Sequence, residues 1–394
     1  MLPQKKKKRI KDKKLEQLFI RKNLSESRKR GYYRVFETIQ EIFGYTPSEL
    51  LEIAKDEQKP RIINNQIEFK DLEDRTITEL QYDYYFHLLD KGLKPSTIRS
   101  ELATYRSFLK EYNIQLPKMI EIKVHPPLYE EGDLPQKEDI LQAINSTNSK
   151  RSKAIIYFMS SSGIRPVDVR NLKVKDFIEG CKYYFDKETI TLDDIIDSNY
   201  QHIIPSFYFR PQKTSKHSNI CCTFCSHEAV ISIIDYLKSR HINSIDDPLF
   251  VSNTGRKMDE ASFIQMFQRI NDKEFGRRKD GERFFKPKHL RKYFITTCNR
   301  HSGDLLKVRL LAGHSLSNID RAYNEISIPV MRRFYMSLLP YLSLADTRVK
   351  DVKTQEYLAL EQKLKRQELE NRKLKEELDD KIASVVHNVL EKYK

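Results

Sequence analysis

The stretch from Lys286 to Tyr323 reads K-P-K-H-L-R-K-Y-F at its start, L-L-A-G-H-S further on and R-A-Y-N-E at its end. Four of its side chains suit a phosphodiester: Lys288, Arg291, His314 and Tyr323. Arginine offers a permanently charged planar fork that matches phosphate oxygens. Lysine and histidine supply transferable protons, and tyrosine supplies an oxygen nucleophile able to form a covalent intermediate. Upstream, S-S-S-G-I-R-P-V-D-V-R-N-L carries a second arginine, Arg165, with Asp168 three residues on and within reach of its guanidinium. Gly163 permits the tight turn that presents this arginine.

The order and spacing of these residues resemble the tyrosine recombinase (phage-type integrase) family over roughly residues 20–345. The family's first box, Gly-Leu-Arg-x-x-Glu with a following Asn-Leu, matches Gly163-Ile164-Arg165-Pro166-Val167-Asp168 and Asn171-Leu172. Its His-x-Leu-Arg box matches Lys288-His289-Leu290-Arg291, and its Leu-x-Gly-His matches Leu311-Ala312-Gly313-His314. Tyr323 stands nine residues past His314, as the family's nucleophile does. The family's hairpin lysine best matches Lys213 in P-Q-K-T-S-K, with Lys216 as the alternative. Lys288 departs from the usual histidine and is similar in this to archaeal viral integrases; His289 is the other candidate for that role.

The resemblance implies a mainly α fold with a small antiparallel β-sheet. A helical core-binding domain would close half of a clamp on DNA, beside a mixed α/β catalytic domain. It also implies site-specific cleavage and rejoining of double-stranded DNA through a 3′-phosphotyrosyl link, without metal, ATP or another cofactor. Arg165 and Arg291 would stabilise charge on the phosphate, Lys213 would protonate the leaving oxygen, and His314 and Lys288 would contact the phosphate or assist the tyrosine. The active assembly would be a homo-oligomer, a tetramer on DNA. Two alternatives are a type IB topoisomerase-like relaxation of one duplex and a DNA-binding regulator without catalysis.

The whole chain is consistent with such a partner. Its 394 residues suggest two or three domains. Lys+Arg 71 against Asp+Glu 56 leaves a formal charge of +15, an excess that favours polyanions. No run of about 18 apolar residues predicts a membrane span, and the basic start lacks the apolar segment of a secretory signal. The expected location is the cytoplasm, on the nucleoid when DNA is bound. Five cysteines without framework spacing argue against a disulfide scaffold. Cys222 and Cys225 form a C-x-x-C, but I-C-C-T-F-C reads better as an apolar strand ahead of Ser226 as a helix N-cap.

In chain order, residues 1–22 read as a basic tail and 23–117 as the helical domain. Tyr32, Phe36, Ile39 and Phe43 share a helix face stopped by Gly44; Thr46-Pro47-Ser48-Glu49 is a capping box. A third helix spans Thr76–Asp90, and a fourth carries Ile98, Leu102, Tyr105, Leu109 and Tyr112, with Arg99, Arg106 and Lys110 opposite as DNA contacts. Residues 118–135 hold Pro126, Pro127, Gly132 and Pro135 and mark a linker.

The catalytic domain then covers 136–345, with a buried helix over Arg151–Ser160 and expected strands at Y-Y-F, T-I-T-L, F-Y-F and I-C-C-T-F within 177–224. The acidic segment 186–203 has no functional reading from sequence. Helices are expected at Ser226–Arg240, Asp259–Phe275, His289–His301 and Asp304–Ala312. Arg277, Arg278 and Lys286, in the basic stretch before Lys288, are candidate phosphate contacts. Residues 346–394 repeat Tyr357, Leu360, Leu364, Gln367, Asn371, Leu374, Leu378, Lys381 and Val385 at coiled-coil spacing, a coiled coil or long helix.

Overall fold

The computed structural model describes residues 10–125, 130, 132–212, 220–279, 281–314 and 327–344, with only the backbone of Ile63. The chain divides into two compact units, residues 1–128 and 129–394.

The first unit holds α1 (Lys13–Arg21), α2 (Glu26–Phe43), α3 (Pro47–Glu57), α4 (Thr76–Asp90) and α5 (Pro95–Glu111), with a hairpin of β1 (Arg61–Ile63) and β2 (Gln66–Glu68). Local signals set the ends. The Ser25 hydroxyl accepts from the Arg28 N–H at the start of α2, and Gly44 closes that helix at φ 80°. Thr46 and Glu49 satisfy each other's backbone donors at the start of α3. The helices close over one core that includes Leu18, Phe36, Leu50, Tyr84, Leu102 and Phe108.

Two expectations change here. The supposed tail is helical over Lys13–Arg21, with Leu15, Leu18 and Phe19 in the core. Asp12 makes this possible. One carboxylate oxygen accepts from Lys14 N and Leu15 N at 2.9 and 3.0 Å, and the other accepts from Ser48 N at 2.9 Å, so a single side chain caps α1 and α3. The module therefore has five helices among the described residues rather than four. It also has an unanticipated hairpin, whose turn residues Asn64 and Asn65 sit at φ 52° and 61°, where asparagine is tolerated.

The second unit holds α6 (Lys137–Asn145), α7 (Lys150–Ser162), α8 (Pro166–Val169), α9 (Val174–Cys181), α10 (Leu192–Asp197), α11 (His227–Lys238), α12 (Glu260–Glu274), α13 (Pro287–His301), α14 (Leu305–Leu311) and α15 (Ile328–Leu342). Helix α7 is its axis, packed against α11 on one side and α13 on another. Strands β3 (Ser206–Phe209) and β4 (Cys221–Phe224) pair antiparallel, Phe209 opposite Cys221 and Ser206 opposite Phe224. All of β4 is buried, and the Thr223 hydroxyl donates to Ser162 O at 2.6 Å, tying the strand to the end of α7.

The mainly α fold with its small antiparallel sheet matches the expectation, but two expected strands are absent. Tyr183 and Tyr184 lie in a 3₁₀ turn, where their rings flank the buried Arg332 guanidinium at 4.2 and 5.3 Å. T-I-T-L does not pair because Thr191 and Asp194 form a capping box that starts α10. Apolar residues there pack on tertiary neighbours, and the local cap wins over strand propensity.

All five cysteines are free and buried. Burial pushes the Cys221 and Cys222 thiols up to about 12, as expected of packing residues. No helix among the described residues is long and apolar enough to cross a membrane. Lys213, Lys216, Tyr323 and the heptad segment lie outside the described residues.

Asp12→Ala removes caps from two helices at once and is expected to lower the stability of the first unit by about 2 kcal/mol. Asp12→Asn, which keeps one acceptor, should cost about half as much. Denaturant unfolding of the two variants checks both values, and equal loss would contradict the shared-cap reading.

Candidate functional site

Helix α7 ends at Gly163, whose φ of 61° is a left-handed cap, and the chain then turns to present Arg165. A Cβ at Gly163 would lie 2.1 Å from Cδ1 of Phe294, so nothing larger than glycine fits. The Gly163 carbonyl also accepts from Arg291 Nη1 at 2.6 Å. One turn thus fixes both arginines. Arg291 sits on α13 three residues after Lys288, so the two project from neighbouring positions on that helix.

Arg165, Lys288 and Arg291 line one cleft of about 700 Å³, together with Arg170, Arg277, Arg283 and Lys286. The Arg165 guanidinium makes no hydrogen bond or ion pair with any described residue, although its carbonyl accepts from Asp168 N and Val169 N. Arg291 Nη2 is buried without a partner. Burial, and then the charge of Arg165, pushes the Arg291 guanidinium down to about 10, which still leaves it cationic at neutral pH. Two like charges are therefore held close with open donors, a geometry that an anion would complete.

His314 follows the α14 turn, its N–H donating to Arg309 O at 2.9 Å. Gly313 has φ 61°, and a Cβ there would sit 2.9 Å from Cys221 Sγ and 3.3 Å from Arg165 Nη1. The Gly-His turn is thus pressed against β4 and the first arginine. Burial, then Arg291, Arg165 and Arg309, pulls the His314 imidazole down to about 4. The ring is neutral at pH 7 and able to accept a proton.

Lys288 is exposed to the cleft, whereas His289 is buried with Nδ1 at 2.7 Å from Phe284 O. Of the two candidates at this box, Lys288 lines the cleft with Arg165 and Arg291, and His289 does not.

Asp168 departs from its expected role. It makes no ion pair with Arg165; Oδ1 instead accepts from Gln212 N at 2.9 Å, and Oδ2 is buried without a partner. Burial raises its pKa, opposed by the Gln212 N–H and by the charges of Arg165 and Arg291. Gln212 immediately precedes Lys213 in the sequence, so the carboxylate holds the backbone one residue before it.

The six expected DNA contacts fall into three groups. Arg99 and Lys110 are exposed on α5, while Arg106 is half-buried and donates to Gln81 Oε1 at 2.5 Å. Arg277 and Lys286 line the cleft, the first bonded to Gly281 O at 3.0 Å and the second paired with Glu282. Arg278 is a correction: its fork is spent on Asp133 at 2.9 Å and the Gly132 carbonyl at 2.8 Å, with the guanidinium 5.0 Å from the Phe284 ring. It braces the start of this unit. Arg170 and Arg283 went unnoticed in the sequence. Arg170 was legible, being in the same box as Arg165. Arg283 was not, since it is bound to both oxygens of Asp272 at 2.6 and 2.8 Å across a loop.

The model for the phage integrase family matches residues 133–328. No curated protein matches the chain. Among solved structures it is similar to XerH site-specific recombinase bound to its difH substrate, at 16% identity over 81% of this chain and 82% of that one, TM-score 0.46. It is also similar to the Tn1549 transposon integrase in complex with circular intermediate DNA, at 17% identity over 83% and 98%, TM-score 0.45. The integrase of mycobacterium phage Brujita is similar at 13% identity over 85% and 93%, TM-score 0.36.

Gly163→Ala is expected to cost about 3 kcal/mol through overpacking on Phe294 and left-handed strain, read by thermal or denaturant unfolding. His314 also sets a pH dependence. Its folded pKa of about 4 lies below its ordinary 6.5, so the unfolded chain binds the extra proton. The stability contribution is intact above about 6.5 and is lost as pH falls towards 4. Across that window the melting temperature of DNA-free protein should fall less in His314→Gln than in wild type.

Proposed function

This chain belongs to the phage integrase family and is a tyrosine-type site-specific DNA recombinase, and we propose that Tyr323 is its nucleophile. The Tyr323 Oη attacks the scissile phosphorus, the bond from phosphorus to the 5′ oxygen breaks, and a 3′-phosphotyrosyl link forms. Lys213 gives its proton to the departing 5′ oxygen. A 5′-hydroxyl of a partner strand then attacks the same phosphorus, and the tyrosine leaves. The phosphodiester energy is kept in the covalent link, so no nucleotide hydrolysis is required.

The observation that supports this reading is the pair of arginines held around open space. The Arg165 guanidinium has no partner among the described residues, and Arg291 keeps a buried unpaired N–H. Such donors fit the nonbridging oxygens of a phosphate and gain strength as charge develops there. Nearby cations also favour the phenolate of a tyrosine whose ordinary pKa is about 10. The neutral His314 suits acceptance of the tyrosyl proton, and Lys288 suits contact with the same phosphate. Arg99 and Lys110 in the first unit, and Arg277 and Lys286 in the second, each suit contact with phosphates of a duplex backbone. We further propose that the active form is a tetramer on two duplexes, since exchange of strands needs a cleaving subunit at each broken strand.

Incubation with a nicked suicide duplex carrying the recombination site should give a protein–DNA adduct that Tyr323→Phe abolishes without loss of binding. An undiminished adduct in that variant would remove Tyr323 from its role. Wild-type binding without any adduct would instead favour a regulator. Relaxation of supercoiled plasmid without strand exchange would mark a topoisomerase.

A further inference from the structure

The first box does more than present Arg165. Asn171, six residues beyond it, donates through Nδ2 to Gln212 Oε1 at 2.7 Å. Its Oδ1 accepts from the Lys257 ammonium, which reaches it from the loop before α12. A lysine can only donate, so the Asn171 oxygen must face it, and the amide NH₂ is left to face the Gln212 oxygen. Asp168 meanwhile holds the backbone N–H of the same Gln212. Gln212 is thereby fixed through backbone and side chain at once, one residue before Lys213. On the far side of the loop, β4 is pinned by Thr223 to Ser162 and by Cys221 Sγ to Leu311 O at 3.4 Å.

We propose that Asn171 and Lys257 are positioning residues for leaving-group protonation, acting with Asp168 through a clamp on Gln212 at the root of the lysine loop. The proposal rests on the reading that this loop carries the general acid. Two features favour a catalytic over a merely structural purpose. The clamp spans three separate segments (the first box, the loop before α12 and the end of β3) and converges on the residue next to Lys213. It also lies at the protein surface, where Lys257 is exposed and Asn171 half-exposed, so it buries little that would stabilise the core. A general acid works only when its proton is held in line with the departing oxygen, and small misplacement is costly.

The test compares single-turnover cleavage of the nicked suicide duplex with its 5′-bridging phosphorothiolate counterpart, whose thiolate departs without a proton. Full-length wild type, Asn171→Leu, Lys257→Met, Lys213→Ala and Arg165→Ala are used. Asn171→Leu should slow the oxygen substrate at least about tenfold at saturating DNA, and the sulfur substrate should restore it to within about threefold of wild type. Lys257→Met, at an exposed position that cannot disturb the core, should show a smaller loss with the same rescue. Arg165→Ala, which acts on the phosphate itself, should remain slow on both. An Asn171→Leu protein equally slow on both substrates, or unimpaired on both, overturns the proposal. Failure of Lys213→Ala to be rescued would instead remove Lys213 as the acid. In that case Asn171→Leu still decides the clamp by its own rescue, because the same loop carries Lys216.

Discussion

Two neighbouring guanidinium groups, Arg165 at the cleft and Arg291 largely buried, are the constraint on which the catalytic unit turns. Like charges repel, and burial removes the water that would screen them. The depressed pKa of Arg291, set first by burial and then by Arg165, expresses that tension. No carboxylate among the described residues pairs with either arginine, so the core must hold them. It does so through one carbonyl, that of Gly163, which anchors Arg291 while the adjacent turn aims Arg165. The site is therefore preorganised against its own electrostatics, and an incoming phosphate meets donors already in place.

The glycines and small side chains nearby follow from this. Phe294 occupies the space a side chain at Gly163 would need, and Cys221 does the same at Gly313. Close approach of α7, α13, β4 and the α14 turn is what brings Arg165, Arg291 and His314, distant in sequence, near one another. The buried thiol of Cys221 serves here as a compact filler whose weak donor satisfies Leu311 O.

Much of this was legible in the residues because the site is written in short boxes. Spacing within a box is local chemistry: a left-handed glycine, an arginine two residues past it, a helix that starts at Pro287. Helix α4 was read to its ends from its apolar period, and Ser226 was read as a cap from its place between strand and helix. What failed was the assignment of partners. Asp168 faces Gln212 rather than Arg165, and Arg278 turns to Asp133, because both choices depend on chain segments 44 and 145 residues away. The tail was misread for the same reason. Its lysines mask Leu15, Leu18 and Phe19, and only the arrival of Ser48 at Asp12 makes a helix there worth its entropy.

The residues that flank the acidic insertion acquire a physical account from the same geometry. Arg332 on α15 is 3% exposed, donates to Ile204 O and to Tyr184 Oη at 3.1 Å, and lies among the rings of Tyr183, Tyr184 and Phe224. Aromatic faces and a carbonyl take the place of a carboxylate around this buried guanidinium, whose Nε and Nη2 have no hydrogen-bond partner. On the same helix, Tyr335 donates to Ser161 O at 2.9 Å, the end of α7 that leads to Arg165. At the other end of the interval that contains Tyr323, Gly313 is pressed against Cys221 and Arg165. Both flanks of the tyrosine segment are thus secured to the core elements that place the arginines.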